Sequence, residues 1–218
     1  MNEENHRLTG KASTINRILK SARHEFSGSG VAGARMEDIA NRAGVTKQLL
    51  YHYFSSKKHL FAAVLDDRTD RVFARLLGIN LDIGAPDTAI RAFLKLMFDQ
   101  YRDDPHLTNI AQEAIAFHGE NATKETKFSN MAPALASKIE PILQKGIALG
   151  VFREKIDVRY FLAMASLIIS GGFTNSYMLS SFLGFETNSK NGLHLWRDYS
   201  VDFVMAAIMK NPESDIIA

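Results

Sequence analysis

Cysteine is absent from this 218-residue chain, so disulfides, thiolate zinc sites and a cysteine nucleophile are all excluded. No G-x-S-x-G elbow occurs, the seven histidines are scattered, and none pairs with a carboxylate at a convincing metal-ligand spacing. The chain is therefore read as neither an enzyme nor a metalloprotein, and no cofactor is expected. Asp66, Asp67 and Asp70 read as a solvated helix face. Long apolar runs are missing too. The most apolar stretch, Tyr160–Phe173, is shorter than a bilayer-spanning helix, and Met1–Lys11 is too polar for a signal-peptide core. Together these features predict a soluble, cytoplasmic protein with no membrane partner.

Period-two alternation is also lacking, whereas helical periodicity runs nearly throughout. It begins with Ile15, Ile18, Leu19, Ala22 and Phe26 on one helix face, which Gly28, Gly30 and Gly33 bring to an end. Those glycines spell G-x-G-x-x-G, but a helix rather than a strand precedes them, so they read as an interhelical loop and not as a nucleotide site. Further helices are predicted at about Met36–Ala43, Lys47–Tyr53, Lys57–Leu77, Asp87–Arg102, Pro105–His118, Ser129–Leu149, Asp157–Leu183 and Asn191–Met209. The expected fold is all-α with about nine helices. Its boundary falls softly within the fourth: a small domain over 1–56, a linking helix over 57–77, and a second domain over 57–218.

Charge is distributed unevenly. The first sixty residues hold ten Lys and Arg against five Asp and Glu, and the remainder 16 against 19. A basic head on a mildly acidic body suits a chain whose N-terminal end meets phosphate.

The most informative segment is Asp38–Tyr53, DIANRAGVTKQLLYHY. A small residue at Ala40 lets a second helix cross closely, Gly44 permits the positive φ of a tight turn, and Leu50 fills the angle between the helices. That is the pattern of a helix-turn-helix, although a plain helical hairpin with a solvated face shares the small-x-x-x-Gly element. The second helix would expose Thr46, Lys47, Gln48, Tyr51 and His52, all able to bond phosphates or base edges. Lys57, at the next helix start, suits a phosphate.

On these residues the resemblance becomes specific. MEDIANRAGVTKQLLYHYFSSKKHL resembles the signature of the TetR family of bacterial regulators, over about residues 12–65; beyond them the likeness lies in helix number and the apolar final helices. It implies a three-helix helix-turn-helix domain that binds double-stranded DNA, joined to a helical domain that binds an effector and dimerises. Lys47, Gln48 and Leu49 would then face bases, Thr46, Tyr51, Tyr53 and Lys57 phosphates, and His52 either. Where the family usually has Ser or Thr before its second helix this chain has Ala34-Arg35, so Arg35 either reaches a phosphate or stands in solvent.

For the second domain, Phe93, Met97, Tyr101, Gln112, Phe117, His118, Phe173 and Tyr177 are candidate effector-binding residues, on the ground that small-molecule pockets are mostly apolar with a few polar groups. Broad apolar faces on the last two helices, including Leu162, Met164, Leu167, Ile168, Phe203, Val204 and Ile208, exceed what one neighbouring helix covers and predict a homodimer. The function expected is a transcriptional regulator, a repressor that binds a palindromic operator as a dimer and is released by an unidentified small-molecule effector. Two rivals remain at this point: a regulator that needs no small molecule, and a helical binding protein whose basic head serves another partner.

Overall fold

The computed structural model describes residues 3–82, 84–120 and 125–210; the extreme ends of both expected domains lie outside them. Among the described residues there are ten α-helices and no strand: α1 (Glu3–Gly33), α2 (Met36–Ala43), α3 (Lys47–Tyr53), α4 (Lys57–Gly78), α5 (Pro86–Arg102), α6 (Leu107–Glu120), α7 (Lys127–Ala148), α8 (Val158–Thr174), α9 (Ser176–Leu183) and α10 (Lys190–Ile208). They form two compact units. Met1–Arg71 with His106–Lys124 make the first, and Val72–Pro105 with Glu125–Ala218 the second.

The dividing point at Arg71 falls inside α4, the helix in which the sequence places a soft boundary. The first unit nevertheless takes more of the chain than residues 1–56, because it also holds Lys57–Arg71 and the whole of α6. Packing explains the difference. Ile18, Ala22 and Phe26 of α1 are fully buried in one core with Ile39, Leu50, Leu60, Phe61 and, from α6, Ile110. Phe61 meets Phe26 edge-on at 5.1 Å between ring centroids and Phe117 at 5.2 Å. The apolar stripe of α6 is thus spent on the head's core.

In the second unit α5, α7, α8 and α10 enclose Phe93, Leu94, Ile139, Leu143, Ala165 and Val201. Asp157 caps α8. The Arg159 guanidinium, helped by the Arg159 backbone N–H, holds its carboxyl down to about 2. One predicted helix, Asp157–Leu183, is here two: α8 and α9 meet at a bend of 83°. At the break Asn175 leaves helical geometry (φ −123°, ψ 29°), and the fully buried Thr187 donates its hydroxyl to the Gly172 carbonyl at 3.2 Å and its backbone N–H to Ser180 Oγ at 3.0 Å. Those bonds fasten the α9–α10 connection into the bend. Among the described residues no single helix is long and apolar enough to cross a membrane.

Candidate nucleic-acid interface

The helix-turn-helix is built as its sequence requires. Gly44 ends α2 in the left-handed region (φ 63°, ψ 42°), its N–H reaching the Ala40 and Asn41 carbonyls. Ala40 is 1% exposed and Leu50 fully buried, so the small residue and the plug occupy the crossing of α2 and α3. With Leu50 facing inward, the 3.6-residue period turns Gln48, Tyr51 and His52 away from the core; these three and Lys47, in the first turn, are exposed.

Each expected contact residue can be placed. Thr46 is the N-cap of α3, its hydroxyl oxygen accepting the Leu49 N–H at 3.1 Å while its own O–H stays available to a phosphate. Lys47 lies 3.7 Å from Glu37 of α2, ten residues earlier in the chain; both side chains are more than half exposed. An exposed pair of this kind contributes ~0–1 kcal/mol and yields readily to a stronger anion. Leu49 and Tyr53 are half-buried, and the Tyr53 ring meets His52 edge-on at 5.4 Å. Arg35 sits at the N-cap position of α2 without capping it, exposed and in extended backbone geometry (φ −113°, ψ 130°).

Lys57, expected at a phosphate, has two partners within the chain. Its ammonium donates to the Ala32 carbonyl at 2.8 Å and to the Ala34 carbonyl at 3.0 Å, so two of its three N–H groups are committed to the C-terminal end of α1. The local sequence at a helix start suggested a phosphate, whereas the acceptors are carbonyls more than twenty residues away. Lys57→Ala is therefore expected to lower the thermal stability of the head, by ~1–3 kcal/mol for losing a charged donor to two half-shielded carbonyls. Melting followed by circular dichroism checks this; an unchanged melting curve would mean that the two bonds add nothing to the stability of the head.

The effector candidates separate. Phe93, Met97, Tyr101 and Phe173 come together in the second unit, where Tyr101 stacks on Phe173 at 5.1 Å and Phe98 closes on the same ring at 5.0 Å. Gln112, Phe117 and His118 belong to α6 in the first unit; Phe117 packs against Phe61, and Gln112 and His118 are exposed. Tyr177 is 88% exposed at the start of α9. Aromatic composition did not distinguish core from cavity lining.

Of the residues expected at a dimer contact, Val204 and Ile208 are core, Leu162 and Ile168 are half-buried, and Met164, Leu167 and Phe203 are exposed. Leu167, Gly171, Trp196, Tyr199 and Phe203 line an apolar groove of about 640 Å³ along α8 and α10.

Comparison with known proteins agrees with this architecture. Residues 18–64 match the family model for bacterial regulatory proteins of the tetR family, and residues 86–204 that for a tetracyclin repressor-like C-terminal domain. The HTH-type transcriptional repressor NicS of Pseudomonas putida is 26% identical over 197 residues, spanning 90% of this chain and 93% of its own. The HTH-type transcriptional regulator RutR of Escherichia coli is 39% identical over 93 residues, 43% of each chain. Among solved structures, the fatty acid degradation regulator FadR of Bacillus halodurans superposes with a TM-score of 0.68 at 17% identity, over 88% of this chain and 94% of that one. With both halves matched and the helix-turn-helix in place, the chain belongs to the TetR family of DNA-binding transcriptional regulators.

Proposed function

We propose that two copies of this chain bind a palindromic operator in the cytoplasm, each laying α3 in a major groove, and that the bound dimer represses transcription until a small molecule occupies the second unit. The observation that carries the reading is the exposed set Lys47, Gln48, Tyr51 and His52 on a short helix anchored by buried Leu50. Arg35 and Thr46 flank that set and serve phosphates, with Tyr51 and Tyr53; Leu49 offers an apolar contact to a thymine methyl. Repression, rather than activation, is supported by likeness to NicS along 90% of the chain, since the transcriptional activator FasR of Mycolicibacterium smegmatis matches over 40%. Dimerisation through α8 and α10 would cover the exposed Met164, Leu167, Tyr199 and Phe203 and set two recognition helices about 34 to 36 Å apart.

An effector acts here by binding one arrangement of the dimer better than another. A preference of ~1–3 kcal/mol changes operator affinity by roughly 5- to 150-fold. FadR of Bacillus subtilis was solved with stearoyl-CoA, and a neighbour from Mycobacterium tuberculosis is a ketosteroid regulator.

Base reading and backbone anchoring are separable. Gln48→Ala and Lys47→Ala are each expected to cost ~1–3 kcal/mol on the preferred duplex and to relax preference at particular base pairs, with little change on random duplex. Competition binding at fixed salt measures both quantities. Equal losses on preferred and random DNA would remove these side chains from base reading.

A further inference from the structure

Helix α1 is broken inside the DNA-binding head. Gly30 has φ 67° and ψ 169°, a region closed to side-chain-bearing residues, while helix continues on either side. In an unbroken helix the Val31 N–H would donate to the Ser27 carbonyl four residues earlier. At this break the two halves of that bond are each taken up by α6: Asn109 Nδ2 donates to the Ser27 carbonyl at 2.7 Å, and the Glu113 carboxylate accepts the Val31 N–H at 3.0 Å. Asn109 and Glu113 are four residues apart, hence one turn apart on one face of α6, the spacing needed to straddle an opened helical turn. His106, three residues before Asn109 on the same row, lies 2.6 Å from Ser27 Oγ. The backbone angle favours glycine here, and a Cβ on Gly30 would stand 2.8 Å from Glu113 Oε1, so a side chain at this position would also push the carboxylate from its place.

The turn beyond the break leads directly into the helix-turn-helix. Its first N–H is held by Glu113 and its last carbonyls, Ala32 and Ala34, by Lys57. Carboxylate at the N-terminal end and ammonium at the C-terminal end both complement the dipole of that turn. Arg35 and α2 follow immediately.

The geometry points to Glu113 and Asn109 as positioning residues for DNA binding: through the Glu113–Val31 and Asn109–Ser27 bonds α6 holds α1 in its broken form and fixes the direction in which Arg35 and α2 leave it. This inference rests on the DNA-binding reading, and adds to it a support for α2 that comes from α6 by way of α1.

The test compares Glu113→Ala, Glu113→Gln, Asn109→Ala and Gly30→Ala with the wild-type chain on two probes: the duplex the wild-type protein enriches from random sequence, and a scrambled duplex of equal length. Glu113→Ala and Gly30→Ala are expected to weaken binding to the enriched duplex about tenfold or more, with scrambled DNA changed less than about twofold, and Glu113→Gln, whose amide oxygen still accepts, to stay within about threefold of wild type. In the free protein the Val31 amide is expected to exchange with solvent about tenfold faster in Glu113→Ala, while amides around Ile18 and Leu60 keep their rates. A merely structural role would lower both affinities together. Equal losses on the two probes, affinity within about twofold of wild type in both Glu113→Ala and Asn109→Ala, or a Glu113→Gln variant as weak as Glu113→Ala would overturn the proposal. If Glu113→Ala loses its helical circular dichroism, Asn109→Ala, which removes a single neutral hydrogen bond, carries the same thresholds with about threefold as the expected loss. If the wild-type chain enriches no duplex, the DNA-binding reading itself fails, and Val31 exchange still decides whether α6 holds the break.

Discussion

Phe203→Asp is expected to turn the chain into a monomer at micromolar concentration. Phe203 lies on α10 with 66% of its surface exposed, beside the groove it shares with Leu167, itself 68% exposed, and Tyr199, 74% exposed. A two-fold contact uses each residue twice. The substitution therefore removes two phenyl rings, each worth ~1.5–3 kcal/mol when buried, and places two carboxylates where water would be excluded. A loss of ~5 kcal/mol or more follows, over three orders of magnitude in dimer dissociation. Operator affinity falls with it, because one head alone forfeits the second half-site. Sedimentation velocity reads the oligomer directly. A dimer that survives Phe203→Asp would move the interface away from α8 and α10.

Leu50→Ala carries the second large effect. Leu50 is fully buried with Ile39, Ala40 and Phe54 in the core of the first unit, and truncation there costs ~2–5 kcal/mol, a large share of the 5–15 kcal/mol typical of a small domain. Sequence-specific DNA binding is expected to disappear near physiological temperature. Trp196, the one tryptophan, belongs to the second unit and packs against that unit's core. Its fluorescence is thus expected to keep its urea midpoint while the circular dichroism transition begins earlier. Coincident shifts of both signals would mean that loss of Leu50 is felt by the second unit as strongly as by the first.

The head was legible because its constraints are local. Gly44 needs a left-handed turn, Ala40 four residues earlier must be small, and Leu50 six later must be apolar; one short segment displays all three. What depends on remote partners was not legible. Periodicity shows that Ile110 and Phe117 share an apolar face of α6, but not that this face meets Phe61 rather than the core around Phe93. Nothing in the sequence around Lys57 tells that its ammonium holds the Ala32 and Ala34 carbonyls, more than twenty residues away. The bend between α8 and α9 owes its hold to Thr187, whose significance lies in its burial and not in its neighbours. Aromatics mark apolar interior equally whether they line a cavity or fill it, so periodicity alone does not say that Phe93, Met97, Tyr101 and Phe173 join one core, with Tyr101 stacked on Phe173.

Sequence-specific recognition through α3 is the centre of the account, and its most direct test is the affinity ratio between an enriched duplex and its scrambled counterpart across a range of salt concentrations. The expected result is a palindrome with half-sites about one turn apart, bound roughly a thousandfold or more tighter than the scrambled duplex at physiological salt, with both affinities falling as salt rises. Equal affinity for the two duplexes, with a folded dimer confirmed, would contradict it and leave a basic head that binds phosphate without reading sequence.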